Sequence, residues 1–184
     1  IDYAGPMVDS GRTDNTMSRD IVVESCTMRA YGEMKPHGIL VGGHSGAPGS
    51  YYYGIRVVNN YCDGAIQSAI RPYQWRNSVI EGNVLLNSDG SGIIARGSSF
   101  LSITGNQIAG CGGYGIYLYD SPFSKIRGNS VDTCGLEGVT VSGESISCTV
   151  DGNTVRSSQS YGIAIVNGSN NCAVNSNFVQ GAGA

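Results

Sequence analysis

The stretch Ile103-Thr-Gly-Asn-Gln-Ile-Ala-Gly-Cys-Gly-Gly-Tyr-Gly-Ile-Tyr-Leu-Tyr-Asp120 carries the pattern that decides the fold. Its opening Ile-x-Gly-Asn returns before and after it: Val57 to Asn60, Ile80 to Asn83, Ile126 to Asn129, Val150 to Asn153 and Val174 to Asn177. Subtracting these Asn numbers gives spacings of 23, 23, 23, 24 and 24 residues. The Gly115-Ile116 pair recurs as well, as Ala69-Ile70, Gly92-Ile93, Gly138-Val139 and Gly162-Ile163. A fixed period of this size is the mark of a repeat architecture.

Within each repeat the apolar residues fall two apart, which is the periodicity of strands. One column holds Val57, Ile80, Ile103, Ile126, Val150 and Val174, three residues before each Asn. A second holds Cys62, Leu85, Ile108, Val131, Val155 and Val179, and a third Pro72, Ala95, Leu118, Val141 and Ile165. No repeat has room for a helix of ten residues, so leucine-rich and βαβ units are excluded. Short strands repeated in one direction must stack in parallel on the next copy, with coils about 4.8 Å apart. The reading is an all-β parallel β-helix, a solenoid of about seven coils of 23–24 residues with three parallel sheets.

Asn60, Asn83, Asn106, Asn129, Asn153 and Asn177 form a structural ladder in this reading. A buried amide is costly without partners, and stacked copies supply them. An earlier coil starts at Asp20, with Cys26 in the Asn position 34 residues before Asn60. The extra length reads as loop insertions near 28–37 and 42–53, the solenoid running from 20 to 180. Residues 1–19 read as an irregular cap or the end of a missing part, and 181–184 as a tail. The start at Ile1, without initiator Met or signal-peptide pattern, fits a piece of a longer protein or a mature form.

Composition excludes several classes. The net charge is −3 and no Lys/Arg block appears, so the electrostatic footprint of a nucleic-acid binder is missing. No apolar run approaches the roughly 18 residues of a membrane span. The six cysteines fit no metal pattern; Cys111 and Cys134 share one column, Cys148 and Cys172 another, and they read as reduced apolar rungs. No cofactor or metal is expected; calcium is the one ion to consider, and no cluster of acids supports it.

The Ile-x-Gly-Asn-x-Ile and Gly-Ile-x-Ile motifs together resemble the right-handed β-helix repeat family over roughly residues 20–180. That family includes pectate-lyase-like enzymes, mannuronan epimerases and phage tailspike depolymerases. The resemblance implies a right-handed coil, an extracellular, cell-surface or virion setting, a polysaccharide ligand and, for tailspikes, a homotrimer. If the chain is an enzyme, it implies a polysaccharide lyase, a glycoside hydrolase or an epimerase. The epimerase signature Asp-Pro-His-Glu is absent; the nearest string is Lys35-Pro36-His37-Gly38.

Alternation places the candidate site. After the Gly-Ile motif the outward positions are Arg71, Ile94 and Tyr117, then Tyr73, Arg96 and Tyr119, with Trp75 and Asp120 just beyond. Aromatic rings pack on the apolar faces of sugars, and Arg pairs bidentately with carboxylates. Arg71, Tyr73, Trp75, Arg96, Tyr117 and Tyr119 therefore form the candidate substrate face, suited to a polysaccharide, including an acidic one. Aligning the first coil on Gly38 puts His44 level with Trp75. His44, Asp120 and His37 are the candidate catalytic residues, although glycoside hydrolysis wants two carboxylates about 5–9 Å apart and this face shows only Asp120. The competing reading is a structural or adhesive solenoid of a fibre or surface protein, without catalysis.

Overall fold

The computed structural model describes residues 7–8, 19–30, 38–41 and 51–183. Their strands stack in parallel into a solenoid of about six turns with three sheets. The first sheet takes the strands before each Asn, including Arg56–Val58, Trp75–Glu81, Ser99–Thr104, Lys125–Arg127 and Thr149–Asp151. The second takes those after it, including Tyr61–Asp63, Val84–Leu86, Gln107–Cys111, Ser130–Cys134 and Thr154–Ser158. The third stacks Ile93–Arg96, Ile116–Tyr119, Val139–Ser142 and Ile163–Ile165. Parallel bridges Ile39 to Ile70 and Ile70 to Ile93 carry it back to the first coil, in the register set by Gly38.

The apolar columns are the core. Val57, Ile80, Ile103, Ile126 and Val150 pair in register and are fully buried, and so are Cys62, Leu85, Val131 and Val155. Each column then ends at the last described coil, where Val174 is 46% and Val179 44% exposed because nothing described lies above them. Glycine before the inward Ile is a packing requirement. A Cβ on Gly115 would stand 2.3 Å from Val131 Cγ1 and 2.5 Å from the Gly138 carbonyl oxygen.

The Asn ladder is continuous. The Nδ2 of Asn60, Asn83, Asn106, Asn129 and Asn153 each donates to the Oδ1 of the Asn one coil on, at 2.9 Å. The backbone N–H of each donates to the same oxygen. Cys26 occupies the first rung, its N–H reaching Asn60 Oδ1 at 3.0 Å. A serine column does the same work at another corner: Trp75 N–H donates to Ser98 Oγ, Ser98 N–H to Ser121 Oγ and Ser121 N–H to Ser145 Oγ. Both columns turn buried corner N–H groups, expensive if orphaned, into bonds that tie coil to coil.

The six cysteines are free thiols, and Cys111 pairs in register with Cys134. Burial pushes the Cys62 and Cys148 thiols from 9.0 up to about 11. The neutral thiol is thus favoured by the fold, while the unfolded chain ionises near 9. Their contribution is complete below pH 9 and is lost as pH rises toward 11. Tyr114, raised by burial and by Glu137, adds to the loss with the same sign. The denaturant midpoint should fall across pH 9–11, and the double variant Cys62→Ala, Cys148→Ala should flatten that fall.

Candidate functional site

The third sheet presents its outward positions as a continuous face. Ile94 lies in register with Tyr117, Arg96 with Tyr119, and a bridge adds Tyr73 beside Arg96. Arg71, Tyr73 and Tyr117 are half-buried, and Arg96 and Tyr119 are exposed. Tyr117 is the centre of a ring cluster, stacked on Tyr114 at 4.4 Å and tilted against Tyr119 at 6.1 Å. Arg71 donates to Gln67 Oε1. Burial, and then the charge of Arg96, hold the Arg71 guanidinium below its ordinary pKa, so the two cations feel one another. No ion pair among the described residues neutralises Arg96. Two coils on, the face closes: Thr140 and Ser142 continue the columns but are buried.

Trp75 does not belong to this face. Its side chain is fully buried in the core, and Nε1–H donates to the Val41 carbonyl at 2.7 Å. The cause is Gln74, which sits in the left-handed region at φ 56°. One such residue turns the corner and resets the in–out count, so the residue after it points inward. His37 and His44 lie outside the described residues.

The same corner builds a groove. Gln74, Gly97, Asp120 and Gly143 form a column of left-handed residues, and Asn77, Phe100 and Phe123 form a second. Between them opens a cleft of about 710 Å³ lined by Tyr51, Tyr53, Arg76, Phe100, Asp120, Phe123 and Glu144, among others. Phe100 and Phe123 stack at 5.0 Å with 13° between their rings, 53% and 43% exposed. A bulky residue at φ 54° or 58° is strained, of the order of 1–3 kcal/mol each, and such strain clusters where side chains must be held for use. Arg76 is committed to the wall: it stands 4.1 Å over the Tyr51 ring and donates to Ser99 Oγ at 2.6 Å.

Asp120 lines this groove, directly after Tyr119, so cleft and face share one corner. Its Oδ1 accepts the Glu144 N–H at 3.2 Å. Glu144 was not among the residues expected from sequence, yet the spacing carried its signal. Tyr119 pairs with Ser142, 23 residues on, while the Ser121 N–H donates to Ser145 Oγ, 24 residues on. Glu144 is therefore the added residue of the first 24-residue coil, and an added residue at a sheet edge re-aims a side chain. The Asp120 carboxylate rests on Gly143, at φ 58°, where a Cβ would lie 2.3 Å from Oδ1. Gly143→Ala should displace the carboxylate and cost about 1 kcal/mol or more in stability, read together as a lower melting temperature and weaker ligand binding.

A search of curated proteins finds no match for this chain. Among solved structures, the A-module of the mannuronan C-5 epimerase AlgE4 from Azotobacter vinelandii superposes with a TM-score of 0.58 at 14% identity. It covers 89% of this chain and 61% of that one. A mutant of the periplasmic alginate epimerase AlgG superposes with a TM-score of 0.63 at 18% identity, over 88% of this chain and 45% of that one. The chain thus spans less than two thirds of either neighbour, and at these identities the likeness is one of fold. The model of the right handed beta helix region matches residues 13–179, nearly the whole chain. Coil, ladder and match agree, and the chain belongs to the right-handed β-helix family.

Proposed function

We propose that this β-helix binds a polysaccharide along the Arg71–Tyr119 face and into the adjoining corner groove, as part of a secreted, periplasmic or virion-borne carbohydrate-active protein. One observation carries the reading. Two guanidiniums without an ion pair among the described residues and three tyrosines on one sheet face adjoin a cleft walled by two stacked, exposed phenylalanines. Rigid aromatic rings with charged groups at their margin suit a sugar chain, whose rings have apolar faces and polar rims. The solved neighbours, named for epimerases of mannuronan and alginate, are consistent with it. Processing of the chain would draw on Asp120 and Glu144, the two carboxylates that share the cleft.

A second reading has its own support. The Asp120 carboxylate spans to Gly143 of the next coil as Asn59 does to Gly82 and Asn87 to Gly110. Such a side chain is explained by the turn it supports, and the solenoid is then a structural or binding module without catalysis.

Incubation with a panel of acidic and neutral polysaccharides, reading both affinity and new chain ends, separates these. Arg96→Ala should weaken binding about 10-fold or more, the scale of one lost charge-assisted hydrogen bond, with an unchanged melt because Arg96 is exposed. New chain ends that vanish in Asp120→Asn make the protein an enzyme. Binding without new ends and without a change in sugar configuration makes it a recognition module, and the absence of both binding and any product overturns the polysaccharide reading.

A further inference from the structure

Charge is divided sharply between the two halves of the site. The sheet half holds Arg71 and Arg96. The groove half holds Asp120 and Glu144, whose carboxylates have no ion-pair partner among the described residues. Arg76, the one cation among the described residues that line the groove, is taken up by the Tyr51 ring and by Ser99. A carboxylate-bearing sugar in the groove would meet two like charges at contact distance, a repulsion that weakens with added salt because both residues are exposed. An uncharged ring meets no such penalty: its apolar face lies on Phe100 and Phe123, and its hydroxyls donate to the two carboxylates. A cationic amino sugar is attracted by the same two carboxylates and repelled by the guanidinium fixed in the wall, so chitosan oligomers are the probe that separates it from the uncharged ring. On the sheet the preference inverts, because an anion between Arg71 and Arg96 relieves their mutual repulsion and accepts from both.

We infer that the ligand is a heteropolysaccharide carrying both uncharged and acidic sugars, with an uncharged ring in the corner groove and an acidic neighbour on the arginine face. The inference rests on the polysaccharide reading above and adds composition to it. Tyr119 and Asp120 are consecutive, so the two subsites belong to neighbouring parts of one ligand. Glu144, the added residue of its coil, is the determinant that excludes acidic sugars from the groove.

The test is calorimetric titration with four defined probes: hyaluronan oligosaccharides, which alternate uncharged and acidic sugars, oligogalacturonate, cello-oligosaccharides and chitosan oligomers. Hyaluronan should bind at least 10-fold more tightly than the other three. Phe123→Ala should weaken hyaluronan far more than oligogalacturonate, and Arg96→Ala should weaken both. The double variant Asp120→Asn, Glu144→Gln should gain about 10-fold for oligogalacturonate, and a gain cannot come from misfolding. Oligogalacturonate binding as tightly as hyaluronan, with no gain in the double variant, overturns the inference and leaves polysaccharide binding standing. Chitosan binding most tightly overturns it too. Absence of binding to all four probes overturns the polysaccharide reading itself.

Discussion

Ile116→Asp should unfold the solenoid. Ile116 is fully buried, in register with Ile93 below and Val139 above, in the middle coil of the third sheet. A carboxylate there would be enclosed by the apolar core, and the cost of an unpaired buried charge exceeds what a domain can lose. The expected destabilisation is about 5 kcal/mol or more, in the exceptional range for one substitution. Thermal melting followed by far-UV circular dichroism checks it, with Tyr117→Asp as the control. Tyr117 is the next residue, half-buried on the outward face, and its replacement should leave a cooperative melt. If both variants melt alike, the in–out register is wrong.

Asn106→Ala should be the most damaging single change that removes no apolar surface. The side chain accepts from Asn83 N–H at 3.0 Å and Asn83 Nδ2 at 2.9 Å, and its own Nδ2 donates to the Ile80 carbonyl and to Asn129 Oδ1. Alanine takes the side-chain acceptor from the buried Asn83 N–H, one of two acceptors from Asn83 Nδ2, and the amide donor from the Ile80 carbonyl. At roughly 1 kcal/mol for each lost bond, and more for each group left unsatisfied, the loss is about 4 kcal/mol. For a chain of this size that is a fall of about 10 °C in melting temperature. Asn177→Ala, at the exposed end of the same ladder, should cost a small fraction of this. Differential scanning calorimetry on the pair compares the two ends of one column. Equal losses would mean that the ladder does not act through burial.

The coil was legible because its physics is repetitive. A buried column repeats one residue type in every turn, so Ile80, Ile103 and Ile126, or Asn83, Asn106 and Asn129, announce themselves by spacing alone. The face was legible for the same reason as far as Tyr119, since alternation within a strand is strict. It failed at the corner. Counting in twos past Tyr73 puts Trp75 outside, but Gln74 in the left-handed region spends one residue on the bend and Trp75 turns into the core. Gln is not a residue whose presence signals that conformation, so nothing local gave warning. The groove was hidden for a related reason. It is assembled from corner residues of successive coils, Arg76, Phe100, Asp120, Phe123 and Glu144, which share no strand and, Phe100 and Phe123 apart, repeat no residue type from coil to coil. Only the step from 23 to 24 residues marked it. Residues 37 and 44, offered for catalysis, fall outside the described residues and remain expectations of the sequence.

The amide column of the ladder also has a direction. Every backbone N–H in it points toward the next coil and every Oδ1 toward the one before, while each Nδ2 donates one hydrogen forward to the next Asn and the other back to a carbonyl of the preceding coil. Five such links in series align their dipoles along the solenoid axis, and aligned hydrogen bonds polarise one another. The molecule therefore has unlike poles. At one end the Asn60 Oδ1 is closed by the Cys26 N–H; at the other, Asn177 accepts from Asn153 and returns an amide hydrogen to the Val150 carbonyl, which leaves its backbone N–H and second amide hydrogen as the donors of that pole. A coil that offers an acceptor at the matching place extends the column with its polarity intact, and one stacked the other way meets donor against donor. Stacking along such a column is directional in its hydrogen bonds as well as in its parallel strands.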